Sequence, residues 1–307
     1  MADEDGTAGQ VQRWLGVATT VIAPATLLSA LLFYFGYVSS RAQYDYFGID
    51  VDTIGLGTRD YVMRSPQPLL APLLALVLLG ALAVLGHLAL RRRIDSAGAV
   101  RLARYRLANR AGTGLAAALL ATGIGLLLGY APLQDWAPYA LVTPLLLAAG
   151  AAGLVYTARL RRLLAAPVAD SPGEQPAEPM PVELRRGALV LAVLLIVTSL
   201  FWATATVAQW IGSGLARHYA ARLDEFPSVI LDTQERLYLR DPAVQETALP
   251  TAPGQRFHYR YRHLRLLIEG HDRMFLVPDR WSPSDSTLVL PLDNSVRVQF
   301  QFRNETP

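Results

Sequence analysis

The 307-residue sequence predicts a membrane α-helical bundle of five transmembrane helices, joined to a small, mostly antiparallel β domain outside the membrane. Composition is the first reason: 52% of the residues are hydrophobic and only 17% are charged, against about 25% charged in ordinary soluble domains. The second reason is that five segments have the length of apolar helix, about 20 residues, that a bilayer requires. The third is that apolar and polar residues alternate with a period of two in the last part of the chain, which is typical of strands.

Five apolar segments are the predicted transmembrane helices, and none carries Asp, Glu or Arg in its middle. They span 14–38, 68–90, 111–130, 138–156 and 187–211. The remaining parts are an N-terminus over 1–13, a structured outer loop over 39–67, a basic segment over 91–110, a Pro-rich linker over 157–186 and the β domain over 212–307.

The distribution of Arg predicts the orientation of these helices. The basic segment contains seven Arg and the Pro-rich linker five, whereas the outer loop has three Arg against four Asp. Loops rich in Lys and Arg stay in the cytoplasm, so the N-terminus is expected there and the β domain outside. The pI near 9.2 therefore follows from topology, and no nucleic acid partner is expected.

The outer loop is too apolar and aromatic to be a free linker. Its side chains Tyr44, Tyr46, Phe47, Ile49, Val51, Ile54 and Leu56 would leave a large patch exposed. We expect the loop to dock against the β domain or the outer helix ends. Thr58 is a candidate cap for a short helix, and Asp50, Asp52 and Asp60 lack the spacing of a calcium-binding EF-hand loop.

The basic segment has two interpretations. In the simpler one it is a topology signal and an interfacial helix that begins after Ser96, with Arg around the apolar side chains that lie toward the membrane, which are Val100, Leu102, Tyr105 and Leu107. In the other it is a specific site for anionic lipids. The candidate lipid-facing residues are Arg91, Arg92, Arg93, Arg101 and Arg104.

Six segments of the β domain are predicted strands because β-branched and aromatic residues fill them and turn residues separate them. They are 228–232, 236–239, 256–268, 273–277, 286–290 and 296–302. Residues 269–272 (EGHD) are the predicted hairpin turn, with Gly270 supplying the unusual backbone angle. In the last strand Val296, Val298, Phe300 and Phe302 share one face, which is expected to be buried.

Aromatic and basic residues alternate over residues 257–263 (FHYRYRH), the most distinctive stretch outside the membrane. The simpler interpretation is a strand with Tyr259 and Tyr261 packed inward. His258, Arg260 and Arg262 would then face water. In the functional interpretation these three residues and the two Tyr form the candidate interaction surface, which would bind anionic headgroups, a cell-wall polymer or a protein. His258 and His263 fall on opposite faces of a regular strand, so no metal site is predicted.

No catalytic motif and no cofactor-binding motif occurs in the sequence. Transport is disfavoured, because ion pathways use buried ionisable groups and only His87 lies within a predicted span. Gly112, Gly114, Gly123, Gly125, Gly129, Gly150 and Gly153 are instead expected to bring helices close together.

Two stretches resemble a known group of proteins. Residues 34–65 (YFGYVSSRAQYDYFGIDVDTIGLGTRDYVMRS) and 264–281 (LRLLIEGHDRMFLVPDRW) are similar to uncharacterised multi-pass membrane proteins of actinobacteria. The resemblance implies a plasma-membrane location with the C-terminus on the outer side. It implies no activity.

The expected function is therefore that of a non-enzymatic, membrane-anchored interaction or sensing protein that presents an outer β domain. One alternative is a subunit of an envelope transport or enzyme complex, and a second is a channel or carrier. The expected partners are the lipid bilayer and a protein that contacts the outer domain or the helix bundle.

Overall fold

A computed structural model describes residues 23–165, 181–250, 252–282 and 284–301. The beginning of the first predicted span, the middle of the Pro-rich linker and Phe302 lie outside these residues. The chain forms two compact units. The sheet unit comprises Met1–Leu69 and Ala208–Pro307, and the helical unit comprises Leu70–Val207.

Five of the described helices are long and apolar enough to cross a membrane. They are α1 (Ala23–Asp45), α4 (Pro66–Asp95), α5 (Ala99–Leu128), α7 (Tyr139–Ala165) and α8 (Val182–Ala220). Three short helices complete the set: α2 (Val51–Ile54), α3 (Thr58–Arg64) and α6 (Tyr130–Leu133). The prediction of five apolar helices of membrane-spanning length is thus confirmed.

Each long helix extends beyond the apolar segment that predicted it. Helix α1 continues to Asp45 and α8 to Ala220, because no Pro interrupts their last turns. The basic segment divides between the end of α4 and the start of α5, which Gly98 precedes as N-cap. Residues 157–165 of the predicted linker belong to α7.

Close approach through Gly is confirmed within the helical unit, at three positions. A Cβ at Gly150 would lie 2.6 Å from the backbone nitrogen of Leu120. A Cβ at Gly123 or at Gly153 would lie 2.9 Å or 2.8 Å from a side chain of the facing helix. Gly114 and Gly125 have open space beside them, so the prediction is wrong there.

The sheet is antiparallel throughout, as expected for the β domain. Its strands are β1 (Ser228–Thr233), β2 (Gln245–Ala248), β3 (Tyr259–Gly270), β4 (Arg273–Pro278), β5 (Leu288–Pro291) and β6 (Val296–Gln301). The order is β5-β4-β3-β1-β6, and β2 pairs with the first half of β3. A 3-10 turn, Leu223–Glu225, connects α8 to β1.

Two local predictions in the sheet are wrong. Residues 236–239 form no strand, because Tyr238 adopts a positive φ of 51° and the chain turns to cover one face of the sheet. In the β3–β4 hairpin the left-handed positions are His271 (φ 49°) and Asp272 (φ 58°), not Gly270. Gly270 has another reason to lack a side chain, since a Cβ there would lie 2.5 Å from the carbonyl oxygen of Ile54.

The two faces of the sheet carry separate cores. Met274 and Leu276 point into a cluster with Tyr261 that residues 237–244 cover. Phe275 and Val277 point the other way, into the cluster that contains the outer loop. That loop cluster includes Tyr44, Phe47, Ile49, Val51, Ile54, Tyr61 and Ala216. Docking of the outer loop on the sheet is thereby confirmed.

Three of the four Asp in the outer loop have local structural roles. Asp50 caps α2 by accepting the Asp52 N–H at 3.1 Å, and Asp52 accepts the Tyr37 hydroxyl at 3.2 Å. Asp60 accepts the N–H of Gly57 at 2.9 Å, so Gly57 is the N-cap of α3 and Thr58 is its first residue. The prediction of Thr58 as the cap is therefore wrong by one position.

Candidate functional site

Strand β3 carries the aromatic and basic residues of the candidate interaction surface. Tyr261 is fully buried and its hydroxyl accepts the N–H of Leu237 at 2.8 Å, whereas Tyr259 is half-buried. The inward position of Tyr261 agrees with the simpler interpretation of this strand. Its hydroxyl fixes the segment that covers the second core, so Tyr261 has a structural role.

Arg260 is held in an ion cluster. Its Nε and Nη2 donate to the carboxylate of Asp232 at 2.7 and 3.0 Å, and Arg297 Nε donates to the same carboxylate at 3.0 Å. Burial by itself would raise the pKa of Asp232, but hydrogen bonds from the two guanidinium groups outweigh it and lower the pKa. Two Arg share one carboxylate, so the cluster keeps a net positive charge.

The other polar residues of this strand are separated by a bulge. The pairing of β1 with β3 shifts between Val229 and Leu231, and His263 adopts a positive φ of 65°. His263 lies 3.0 Å from a carboxylate oxygen of Asp279, and Arg262 is exposed. His258 comes before the strand and lies 3.3 Å from the carbonyl oxygen of Gln234. The bulge interrupts the strict alternation that the sequence analysis assumed.

In the basic segment the five candidate Arg are all exposed, at the end of α4 and in the first turns of α5. Leu102 and Tyr105 pack against a small cluster built on Ile94, Leu160 and Leu164. Two of the apolar side chains assigned to the membrane are therefore partly covered by protein. Lipid contact by the Arg stays a prediction.

The sheet unit contains an open cavity of about 610 Å³ where its helix ends meet the sheet; we call it the Arg64 cavity. Its polar lining comes from the end of α1, from α3 and from the start of α4. Its apolar lining comes from the end of α8 and from the strand side. The polar side includes Ser39, Ser40, Gln43, Tyr44, Arg64 and Gln67. The apolar side includes Leu215, Tyr219, Phe226 and Leu267.

Arg64 and Glu225 are the charged residues of this lining. The Nη1 of Arg64 donates to the Tyr44 hydroxyl at 2.7 Å, and the guanidinium lies over the Tyr44 ring at 5.6 Å from its centroid. Within the described residues Arg64 makes no ion pair, whereas Glu225 pairs with Arg222 at 3.2 Å. The electrostatic character of the cavity is therefore set by one cation that a neutral hydroxyl orients.

Three further polar side chains of the cavity are buried. Ser39, Ser40 and Gln43 are 7%, 3% and 6% exposed, and Gln43 lies one turn of α1 beyond the two Ser. Their side chains make no hydrogen bond to any other described residue, and they line the cavity. Other helix hydroxyls, such as that of Thr204, donate to the carbonyl four residues earlier. The polar groups beside the Arg64 cavity are thus available to a ligand.

Two Gly hold α1 in the position that forms the cavity. A Cβ at Gly212 would fall far inside the contact distance of the Ser39 carbonyl oxygen, so α8 touches the backbone of α1 there. A Cβ at Gly36 would collide in the same way with the carbonyl oxygen of Tyr61. Close backbone contacts on both sides leave α1 little freedom to move.

Sequence reasoning missed this cavity, although part of its signal is local. Ser39, Ser40 and Gln43 interrupt the end of an apolar helix at positions that share a helix side, which is unusual for residues with no role. The meeting of this stripe with Arg64 depends on a turn of the chain between α1 and α3. Nothing in the local pattern of either segment indicates that turn.

Within the described residues, five apolar helices long enough to span a membrane and a small antiparallel sheet define the class of protein. Comparison with known protein families, with curated proteins and with solved structures gives no match.

Proposed function

We propose that this chain is a non-enzymatic, membrane-anchored interaction or sensing protein of the plasma membrane, with its N-terminus in the cytoplasm and its β domain outside. The described apolar helices and the positive-inside distribution of Arg support the location and the orientation. The exposed candidate Arg of the basic segment then face the headgroups of the cytoplasmic leaflet.

The observation that carries the functional proposal is the core that the sheet shares with the helix ends. Phe275 and Val277 of β4 pack in one cluster with the outer loop and with Ala216 of α8. Because packed cores move as units, a force on the sheet reaches α1 and α8 directly. A β domain on a flexible linker would have no such connection. This arrangement suits a protein that reports the state of an outer partner to its own helices.

Orientation is tested by reporter fusions along the full chain. Fusions after Arg93 and Arg162 are expected to report the cytoplasm, and fusions after Asp135 and Pro307 the outside. An external signal at Arg93 would overturn the orientation.

The interaction role is tested by crosslinking in intact cells. The chain contains no Cys, so an Arg262→Cys variant can carry a single photocrosslinker on the exposed part of β3. We expect one discrete adduct from this position and none from a matched Arg280→Cys variant outside the candidate surface. If the Arg262→Cys variant gives only the band of the uncrosslinked chain, the assignment of this surface is contradicted.

A complex subunit is the second candidate, and the edges of the sheet favour it. Phe300 on β6 is 56% exposed and Val289 on β5 is 45% exposed. The expectation that Phe300 is buried is therefore wrong, because β6 is an edge strand paired only with β1. Exposed edges with apolar side chains attract partner chains. A Phe300→Asp variant that loses a stoichiometric partner from native membranes, with its own thermal stability unchanged, would favour this candidate.

A further inference from the structure

We propose that the Arg64 cavity binds the phosphate group of a phospholipid headgroup. The inference rests on the proposed membrane location, and it adds a ligand site that the interaction role does not require. Its basis is the coincidence of three independent features: a cation without an ion pair among the described residues, polar side chains that line the cavity and make no hydrogen bond to those residues, and a position at the ends of apolar helices.

The charge of the cavity selects an anion. Arg64 has one N–H donor directed to the neutral Tyr44 hydroxyl, which leaves the rest of the guanidinium fork for another acceptor. Glu225, the acidic residue of the lining, is neutralised by Arg222. Guanidinium groups bind phosphate oxygens through paired, charge-assisted hydrogen bonds.

The number of donors favours phosphate over a simple carboxylate. Ser39 and Ser40 each offer a hydroxyl, and Gln43 and Gln67 each offer an amide NH2 group. A phosphodiester has several oxygens that accept from different directions, so it can satisfy donors contributed by separate helices. The cavity of about 610 Å³ is within the size range of small-molecule sites.

The position of the cavity favours a lipid. Ser39 directly follows the first predicted span, which ends at 38, and Gln67 directly precedes the second, which begins at 68. On α8, Leu215 lies just beyond the span that ends at 211. Three helices therefore contribute residues from the level where the hydrocarbon region ends and headgroups begin. The apolar lining by Tyr219 and Phe226 suits the glycerol and the upper acyl chain of the same molecule.

The test uses the full-length protein, delipidated in a maltoside detergent, with phosphatidylglycerol as the probe. Native mass spectrometry counts bound lipid, and thermal unfolding with and without lipid measures the affinity through linkage. The test variants are Arg64→Gln and Gln43→Leu. Arg59→Gln is the matched control, because Arg59 is an exposed residue of the same helix α3 that does not line the cavity.

We expect one lipid per chain to resist dilution in the wild type and in Arg59→Gln, and affinity to fall about ten- to a hundredfold in Arg64→Gln. Gln43→Leu keeps the cation and removes a buried polar group, so it should also weaken binding if the site is the one assigned. Each variant is compared with its own lipid-free form, so a change in basal stability does not enter the result.

Three outcomes would overturn the proposal. One is equal lipid binding by Arg64→Gln, Gln43→Leu and the control. A second is equal binding of diacylglycerol, which has no phosphate. A third is equal stabilisation by inorganic phosphate at the same concentration, which would assign the site to a soluble phosphate-bearing ligand. Because the reporter fusions test the orientation separately, failure of the lipid site and failure of the proposed location are distinguishable.

Discussion

Replacing Phe47 with Ala tests whether the outer loop holds the sheet in place. The Phe47 side chain is fully buried and packs against the rings of Trp281 and Tyr46, at centroid distances of 5.3 and 5.4 Å. Its carbonyl oxygen accepts the Thr287 hydroxyl at 2.7 Å, a bond that the substitution retains. The change therefore removes packing between the loop and the sheet and leaves the backbone connection.

Phe47→Ala is expected to lower the free energy of unfolding by about 3–5 kcal/mol, the range for Phe→Ala in a packed core. At about 1.4 kcal/mol per factor of ten, the opened population of the sheet unit rises roughly a hundred- to several-thousandfold. The free energy of unfolding of a Phe47→Leu variant should lie between those of the wild type and Phe47→Ala, because Leu keeps most of the buried volume. The matched control is Met63→Ala, since Met63 is 71% exposed on the neighbouring helix α3.

Trypsin provides the assay, because every basic residue of the chain is Arg and the strands contain several of them. When opening and closing are faster than cleavage, the rate of proteolysis follows the opened population. We expect the C-terminal strands of Phe47→Ala to be cut far faster than those of the control, with Phe47→Leu between them. Equal rates for Phe47→Ala and Met63→Ala would refute the conclusion that the loop and the sheet share one core.

Two further predictions concern single contacts. Asp232→Asn should lower the free energy of unfolding by about 1–3 kcal/mol, because hydrogen bonds to charged groups contribute about that much. Solvent screening of the exposed parts of the two Arg keeps the loss within this range. The pKa of Asp232 is lowered in the fold, so its contribution is present above the ordinary value of about 3.9 and is lost as the pH falls through the lowered value. The difference in melting temperature between wild type and variant should therefore shrink below about pH 4, and a constant difference down to pH 2 would contradict the ion cluster. Gly212→Ala should lower the free energy of unfolding by about 1–3 kcal/mol, because the new Cβ collides with the Ser39 carbonyl. Gly214→Ala should stabilise α8 slightly, because Gly214 has open space beside it. Equal melting temperatures for these two variants would argue against the close contact of α1 and α8.

Features that depend on the local pattern were predictable from the sequence. The long apolar runs predict helices because a run of about 20 apolar residues matches the length of a helix that crosses a bilayer. The loop was expected to dock because Phe47 and Ile54 are too apolar to remain in water, and both are fully buried. In each case a single stretch of residues contains the information.

The features that escaped prediction depend on pairs of distant segments. Residues 236–239 alternate like a strand, but Leu237 and Leu239 instead cover the second core, where the Tyr261 hydroxyl holds the segment. Gly270 was assigned to a turn conformation, but its lack of a side chain serves the contact with Ile54. The Arg64 cavity likewise needs α1 and α3 side by side, an arrangement that neither segment specifies alone.

The hydrogen bond from Thr287 to Phe47 joins residues 240 positions apart, and this separation has a consequence for biosynthesis. At about 5–20 residues per second, roughly 12–48 seconds pass between translation of the two partners. During that interval the apolar side chains of the outer loop have no sheet to cover them. Nascent chains with exposed apolar surface aggregate readily, so this loop is where a chaperone is expected to act. Ribosomes stalled before β4 should accordingly yield chains whose loop is open to proteases, and chains released after β6 should not.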